Sequence, residues 1–429
     1  MMSKPIARVE SHRCGQPFRL AALMLLAFYA GPGMAADIIQ VGPNSRARTI
    51  AEAARLAADG DTVVIAPGDY YGDVATWTQD RLTIRAGAGG RVRVLAAGSQ
   101  ADGKGIWVVA GGKVSIEDID FRGARAPGHD GAGLRLEKGH LLLRRCAFTD
   151  NENGVVAGDG DAALEIENSE FGDNGDGSGA THTLQVGSIR SLKVSGSYFH
   201  HARGGSLLIS RARDNLLLSN RFSDEPGGQS GEELAFPAGG QAWVIGNIIE
   251  QSATTGSPVI ISFGAEGYAA PVNALYLASN TIVDDRPDGG IFLQAKPGER
   301  QIQAYNNLLV GAGTLEGSQR QGWRERVSSI VKNLAGQGGK PPPAETAIAG
   351  SFVNNINVDW TALALPMRHD YRLTAESGLD GKFVLPPDVD GVSLVPKTEY
   401  LHPARTRPLA GKPTLPGALQ TTVTARRTP

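Results

Sequence analysis

The sequence predicts an all-β parallel solenoid, and three observations carry that prediction. A short apolar pattern recurs at intervals of 23 to 33 residues, the apolar residues inside each copy alternate with a period of two, and glycine makes up 56 of 429 residues. Recurrence at a near-constant interval marks stacked repeats. A period of two is strand spacing, not helix spacing. The glycine share is nearly twice the usual value of about 7% and follows no collagen period, so it signals many tight turns.

The copies read LLLRRCAF, LEIENSEF, LKVSGSYF, LLLSNRF, WVIGNII, LYLASNTI and IQAYNNLL. One small polar position marks each: Cys146, Ser169, Ser197, Asn220, Asn247, Asn280 and Asn307. VSIEDIDF extends the series upstream with Ile119 in the marked slot, and IVKNLAG extends it downstream with Asn333. Each copy has room for several short strands and none for a crossover helix, which describes one coil of a parallel β-solenoid. Asn220, Asn247, Asn280 and Asn307 then read as an asparagine ladder, a structural stack at the bend. Asn151, in the turn beyond Phe148, reads as structurally neutral.

These repeats resemble the right-handed parallel β-helix proteins of the pectin-lyase-like superfamily. The segment TIAEAARLAADGDTVVIAPGDYYGDV (49–74) is similar to that family's N-terminal cap, with a short helix over Ile50 to Ala58 and a first strand over Thr62 to Ala66. A cap shields the open end of a solenoid core. The expected organisation is an export signal over 1–36, cap and first coil over 37–90, the β-helix over 91–335, and a linker with a C-terminal segment over 336–429. Gly336 to Pro343 reads as the linker, and DYRLTAESGLDGKF (370–383) resembles the segment that often follows the last coil.

Lys4, Arg8, Arg13 and Arg19 precede the apolar run Leu20 to Ala30, and GPGMAA offers small residues for cleavage after Ala35 or Ala36. This reads as a secretory signal, since the run is too short to span a bilayer as a helix. The expected location is periplasmic or extracellular, with no integral membrane segment after signal removal. Cys14 leaves with the signal, so Cys146 is a lone thiol and no disulfide is expected. A formal net charge of −2 provides no basic footprint for nucleic acid.

A solenoid stacks equivalent positions about 4.8 Å apart, close to the length of one sugar residue, which suits a polymer groove. Polar residues concentrate in four consecutive coils: THTLQV, FHHARGGSLLISRAR, SGEELAFP and VIISFGAEGY. With Leu184, Leu208, Leu234 and Ile261 inward, Gln185 faces out and Thr183, Leu207 and Glu233 share a second outward register. His182 and Glu232 stand two residues before the inward leucine, His200, His201 and Arg203 occupy the turn before the second of these strands, and Arg211 ends it.

Histidines with arginines suit β-elimination on a uronate polymer. A base removes the proton beside the carboxylate while a cation neutralises that carboxylate. His200 or His182 is the candidate base, and Arg211 or Arg203 the candidate cation, which grips a carboxylate with two parallel hydrogen bonds. Glu233 completes the candidate catalytic set, with Gln185, Glu266 and Tyr268 as candidate substrate contacts. The expected partner is thus an acidic polysaccharide. A non-catalytic glycan-binding or surface protein uses the same groove, and is favoured where the histidines make only backbone contacts. A glycoside hydrolase needs two carboxylates about 5 to 10 Å apart across it; Glu233 with Glu225 or Glu266 is the candidate pair. The resemblance stops short of any marked subfamily: the Asn-Thr-Asp and Gly-His-Gly motifs of polygalacturonases and the Arg-x-Pro-x-x-Arg pattern of pectate lyases are absent. The cofactor is unassigned; calcium bridging loop carboxylates such as Asp173, Asp176 and Asp224 to a uronate is the candidate.

Overall fold

The computed structural model describes residues 36–313, 315 and 350–424. The segment expected to be an export signal, except its last residue Ala36, the expected linker Gly336 to Pro343 and Asn333 lie outside them. The described chain winds through three parallel sheets of twelve, eleven and nine strands, each strand pairing with its counterpart one coil away. In the coil around residue 220, the chain passes along Asp214–Leu218 in the first sheet, Arg221–Ser223 in the second and Leu234–Phe236 in the third. The fold is a right-handed parallel β-helix.

The helix Ile50–Leu56 caps one end. Thr49 accepts the Glu52 N–H at its hydroxyl (3.1 Å), and the Asp73 carboxylate takes the Ile50 and Ala51 N–H groups (2.6 and 2.9 Å). These acceptors satisfy donors that have no partner within the helix. A strand Ile38–Val41, not anticipated from the sequence, precedes the helix and pairs with Thr62–Ile65.

The bend from first to second sheet takes two residues. Ser219, Gly246, Ser279 and Asn306 adopt left-handed φ of 50°, 67°, 53° and 55°, and the next residue is the rung. Asn220 donates its backbone N–H and its side-chain Nδ2 to Asn247 Oδ1, at 2.8 and 3.0 Å, and Asn247 and Asn280 repeat the pattern. After Asn307 the next described rung is Asn355 (2.7 Å). A second ladder stands where none was expected. Asn151 is fully buried, accepts the Ala124 N–H, and donates to Phe121 O and to Asn174 Oδ1, so its reading as neutral is corrected.

Inside, Phe121, Phe148, Phe171, Phe199 and Phe222 stack at centroid distances of 4.5 to 5.0 Å. Each is the last apolar residue of a repeat, and each pair adds about 0.5–1.5 kcal/mol beyond burial. The C-terminal segment covers the outside of the later coils: Leu373, Tyr400 and Leu415 pack on the second sheet around Tyr198 and Ile248, and Leu394 packs on the first around Trp243 and Tyr276.

Candidate functional site

The third sheet keeps an outer face that strand register organises. Leu184, Leu208, Leu234 and Ile261 point inward in four successive coils; one residue on, Gln185, Ile209, Ala235 and Ser262 point outward. Two residues before the inward position stand His182, Ser206, Glu232 and Val259. With coils about 4.8 Å apart, His182 and Glu232 are about 10 Å from each other across Ser206.

His182 Nδ1 accepts the Ser206 backbone N–H at 2.9 Å. An N–H can only donate, so the histidine proton is on Nε2. Burial, helped by the Arg211 charge, pushes the pKa of His182 down to about 4. His182 is therefore a neutral ring offering a donor, which corrects its expected role as base. Glu232 accepts from Ser262 Oγ at 2.6 Å, and burial raises its pKa from the ordinary glutamate value.

Arg211 grips Glu266 with two hydrogen bonds (Nε–Oε2 2.9 Å, Nη2–Oε1 2.6 Å). The loop carrying Glu266 is held by Tyr268, whose hydroxyl donates to Lys296 O at 2.6 Å and whose ring packs 5.5 Å from Phe263. Glu266 and Tyr268 thus brace Arg211. Beside them opens a cleft of about 330 Å³ lined by Arg190, Arg211 and Arg213, with Asp161 and Ser188. Arg190 and Arg213 immediately precede the paired residues Ser191 and Asp214, so they are neighbours in adjacent coils. Each has one carboxylate, Asp161 at 3.4 Å and Asp214 at 3.3 Å. Arg190 escaped the sequence reading, although its place one residue before a first-sheet strand, like that of Arg213, was there to be aligned.

His200 lies elsewhere. It ends the strand Tyr198–His200, where alternation sends Tyr198 and His200 outward and Phe199 inward, so it belongs to the second sheet and not to a turn. Its ring stacks on Tyr198 (4.2 Å), its Nε2 meets Glu170 Oε1 (3.2 Å) and its Nδ1 meets His201 Nδ1 (2.8 Å). No hydrogen bond or ring contact joins it to His182. The surrounding groups, Arg221, Glu225, Tyr400 and His402, form a polar seam under the C-terminal segment that no local pattern announced. Arg203 is on the turn between second and third sheets and pairs with Asp150 at 2.7 Å, beside Arg125.

Glu233 is fully buried, with one oxygen accepting from Ser230 Oγ (2.8 Å) and the other without a hydrogen-bond partner. Thr183, Leu207 and Glu233 all point inward, as Gly154 in the same register shows by facing Phe171 and Asn174. The chain turns into the third sheet here, so two consecutive residues face the core and strict alternation fails. Glu233 is thereby removed from the groove and from any carboxylate pair across it.

Calcium does not fit the carboxylates considered for it. Asp176 accepts from Ser178 and Thr181, Asp224 accepts the buried Ala202 and Ser230 N–H groups, and Asp173 stands by Arg203. Among the described residues no group of three or more His, Cys, Asp or Glu is placed to hold a metal.

No protein family and no curated protein matches the chain. Among solved structures, pectate lyase Pel9A is similar over 86% of this chain and 98% of its own, with a TM-score of 0.50 at 12% identity. At that identity the likeness defines the class by fold, a right-handed parallel β-helix protein.

Proposed function

We propose that this chain is an exported polysaccharide lyase acting on a uronate-containing polymer. The observation that carries the reading is the arginine cleft at the exit of the third-sheet strands, whose Arg211 lies near enough for its charge to act on the His182 ring. Arg190, Arg211 and Arg213 receive carboxylates; the exposed pairs of Arg190 and Arg213 with aspartates are worth only about 0–1 kcal/mol each, so a substrate carboxylate competes with them. His182 donates from Nε2 to a sugar oxygen. Glu232, more basic than an ordinary carboxylate, takes the proton beside the uronate carboxyl, the ring double bond forms, and the glycosidic C–O bond breaks. Glu232 then returns the proton to the leaving oxygen, so one group serves as base and acid. A fold shared with a pectate lyase supports the reading, as does the basic, leucine-rich start of the sequence.

The test is release of unsaturated uronate ends, followed by ultraviolet absorbance, from pectate, alginate, hyaluronan and heparin-like chains. Glu232→Gln is expected to lower the rate on the responsive polymer by about a hundredfold or more, with melting unchanged. Binding without unsaturated ends would instead favour a glycan-binding protein, and unsaturated ends formed equally by the variant would remove Glu232 from the mechanism.

A further inference from the structure

A second cationic groove runs along the outside of the first sheet. Arg81, Lys113 and His140 occupy one register in three successive coils, and Thr83, Ser115 and Leu142 occupy the next outward register beside them. They line a groove of about 520 Å³. The third outward register contains Arg85, Glu117, Arg144 and Glu167, where charges alternate and Arg144 bridges both glutamates (3.1 and 2.9 Å). In the groove register only His140 has a carboxylate beside it, Glu165 at 3.9 Å. Arg81 and Lys113 are exposed and neither has a carboxylate within 4.0 Å among the described residues. Glu165, paired with Lys193, follows Leu142 in the neighbouring row and closes the groove at that end. The same sheet is covered further along, where Trp243 and Tyr276 meet Leu394, so the cationic part is the part left open.

We propose that this groove binds a segment of anionic polysaccharide and anchors the polymer on a face of the solenoid separate from the third sheet. The fixed cations Arg81 and Lys113 stand about 4.8 Å apart, near the length of one sugar residue, and the parallel row of two hydroxyls and a leucine provides a floor for sugar rings. A net charge of −2 argues against a nucleic-acid surface. The proposal does not depend on Glu232 chemistry.

The test is affinity electrophoresis of the purified protein in gels containing pectate, alginate or heparin, with Arg190, Arg211 and Arg213 all changed to alanine so that the third-sheet cleft contributes little. In that background the Arg81→Ala/Lys113→Ala pair is expected to weaken retention about tenfold, with the difference vanishing at high salt. In the otherwise wild-type chain the pair is expected to leave cleavage of short oligosaccharides unchanged. Equal retention with and without the pair overturns the proposal, as does displacement of bound polymer by duplex DNA at equal charge concentration. Melting curves guard against misfolding, and Lys113→Gln alone replaces the pair if it unfolds.

Discussion

His182 and Ser206, one coil apart in the same register, are joined by a hydrogen bond from backbone to ring, and that bond decides what the histidine can do. With Nδ1 accepting and the pKa near 4, His182 is neutral and donates from Nε2 across the ordinary pH range. Nitrogen-15 shifts should therefore report an Nε2–H tautomer that titrates near pH 4. In the unfolded chain this histidine titrates near 6.5, so below that pH the unfolded state binds a proton that the folded state refuses. Its contribution to stability falls as pH drops from about 6.5 to about 4 and is flat outside that window. His182→Gln should remove that part of the slope; an unchanged slope would sink the assignment.

The ladders predict a pair of folding defects. Asn247→Ala removes the acceptor for two Asn220 donors and leaves Leu217 O without its side-chain donor. Asn151→Ala does the same to Ala124 N–H and Phe121 O. Each buried group left unsatisfied costs about 1–3 kcal/mol, so both variants should melt well below the parent. A silent Asn151→Ala would show that the second ladder contributes nothing.

Glu233 predicts a pH effect of the opposite kind. Burial, with the nearby Asp224 carboxyl, holds its pKa well above the ordinary value, so the folded state keeps a proton that the unfolded state releases above about pH 4.5. Stability is therefore lost as pH rises from there towards the folded pKa. Glu233→Gln keeps the shape without the ionisation and should raise the melting temperature more at pH 8 than at pH 5. It should leave any polymer cleavage intact, because the side chain is sealed from the groove. Equal shifts at both pH values would mean that the carboxyl ionises alike in the folded and unfolded chain.

What was legible in the sequence was whatever repeats locally. Asn220, Asn247, Asn280 and Asn307 recur coil after coil and announce their ladder, whereas Asn151 and Asn174 form only two rungs between Ala124 and Ala202, too few for a period. Arg211 was readable as a strand-end cation, but its partner Glu266 is 55 residues away on a loop whose approach no local pattern encodes. In the sequence His200 looks like a turn residue because two adjacent histidines precede Gly204, whereas the alternation begun by Tyr198 and Phe199 runs on through it. The seam around it depends on Tyr400 and His402, which reach Tyr198 only after the whole solenoid has wound.

Arg190 and Arg213 give the sharpest division between binding and chemistry. They stand in adjacent coils, each held by a single aspartate, and neither is paired with His182 or Glu232. If they receive carboxylates flanking the reacting sugar, removing both should weaken polymer binding and leave the bond-breaking step alone. For Arg190→Ala/Arg213→Ala, KM on the responsive polyuronate is expected to rise about tenfold or more while kcat stays within about twofold. The rise should shrink as salt increases, because the lost contacts are charge pairs near the surface. Arg211→Ala, which also frees Glu266 into the cleft, should lower kcat as well, since it deprives the reacting carboxylate of its cation. A fall in kcat for the double variant with KM unchanged would place Arg190 and Arg213 at the reacting sugar, and the cleft would then be the centre of the site instead of its flank.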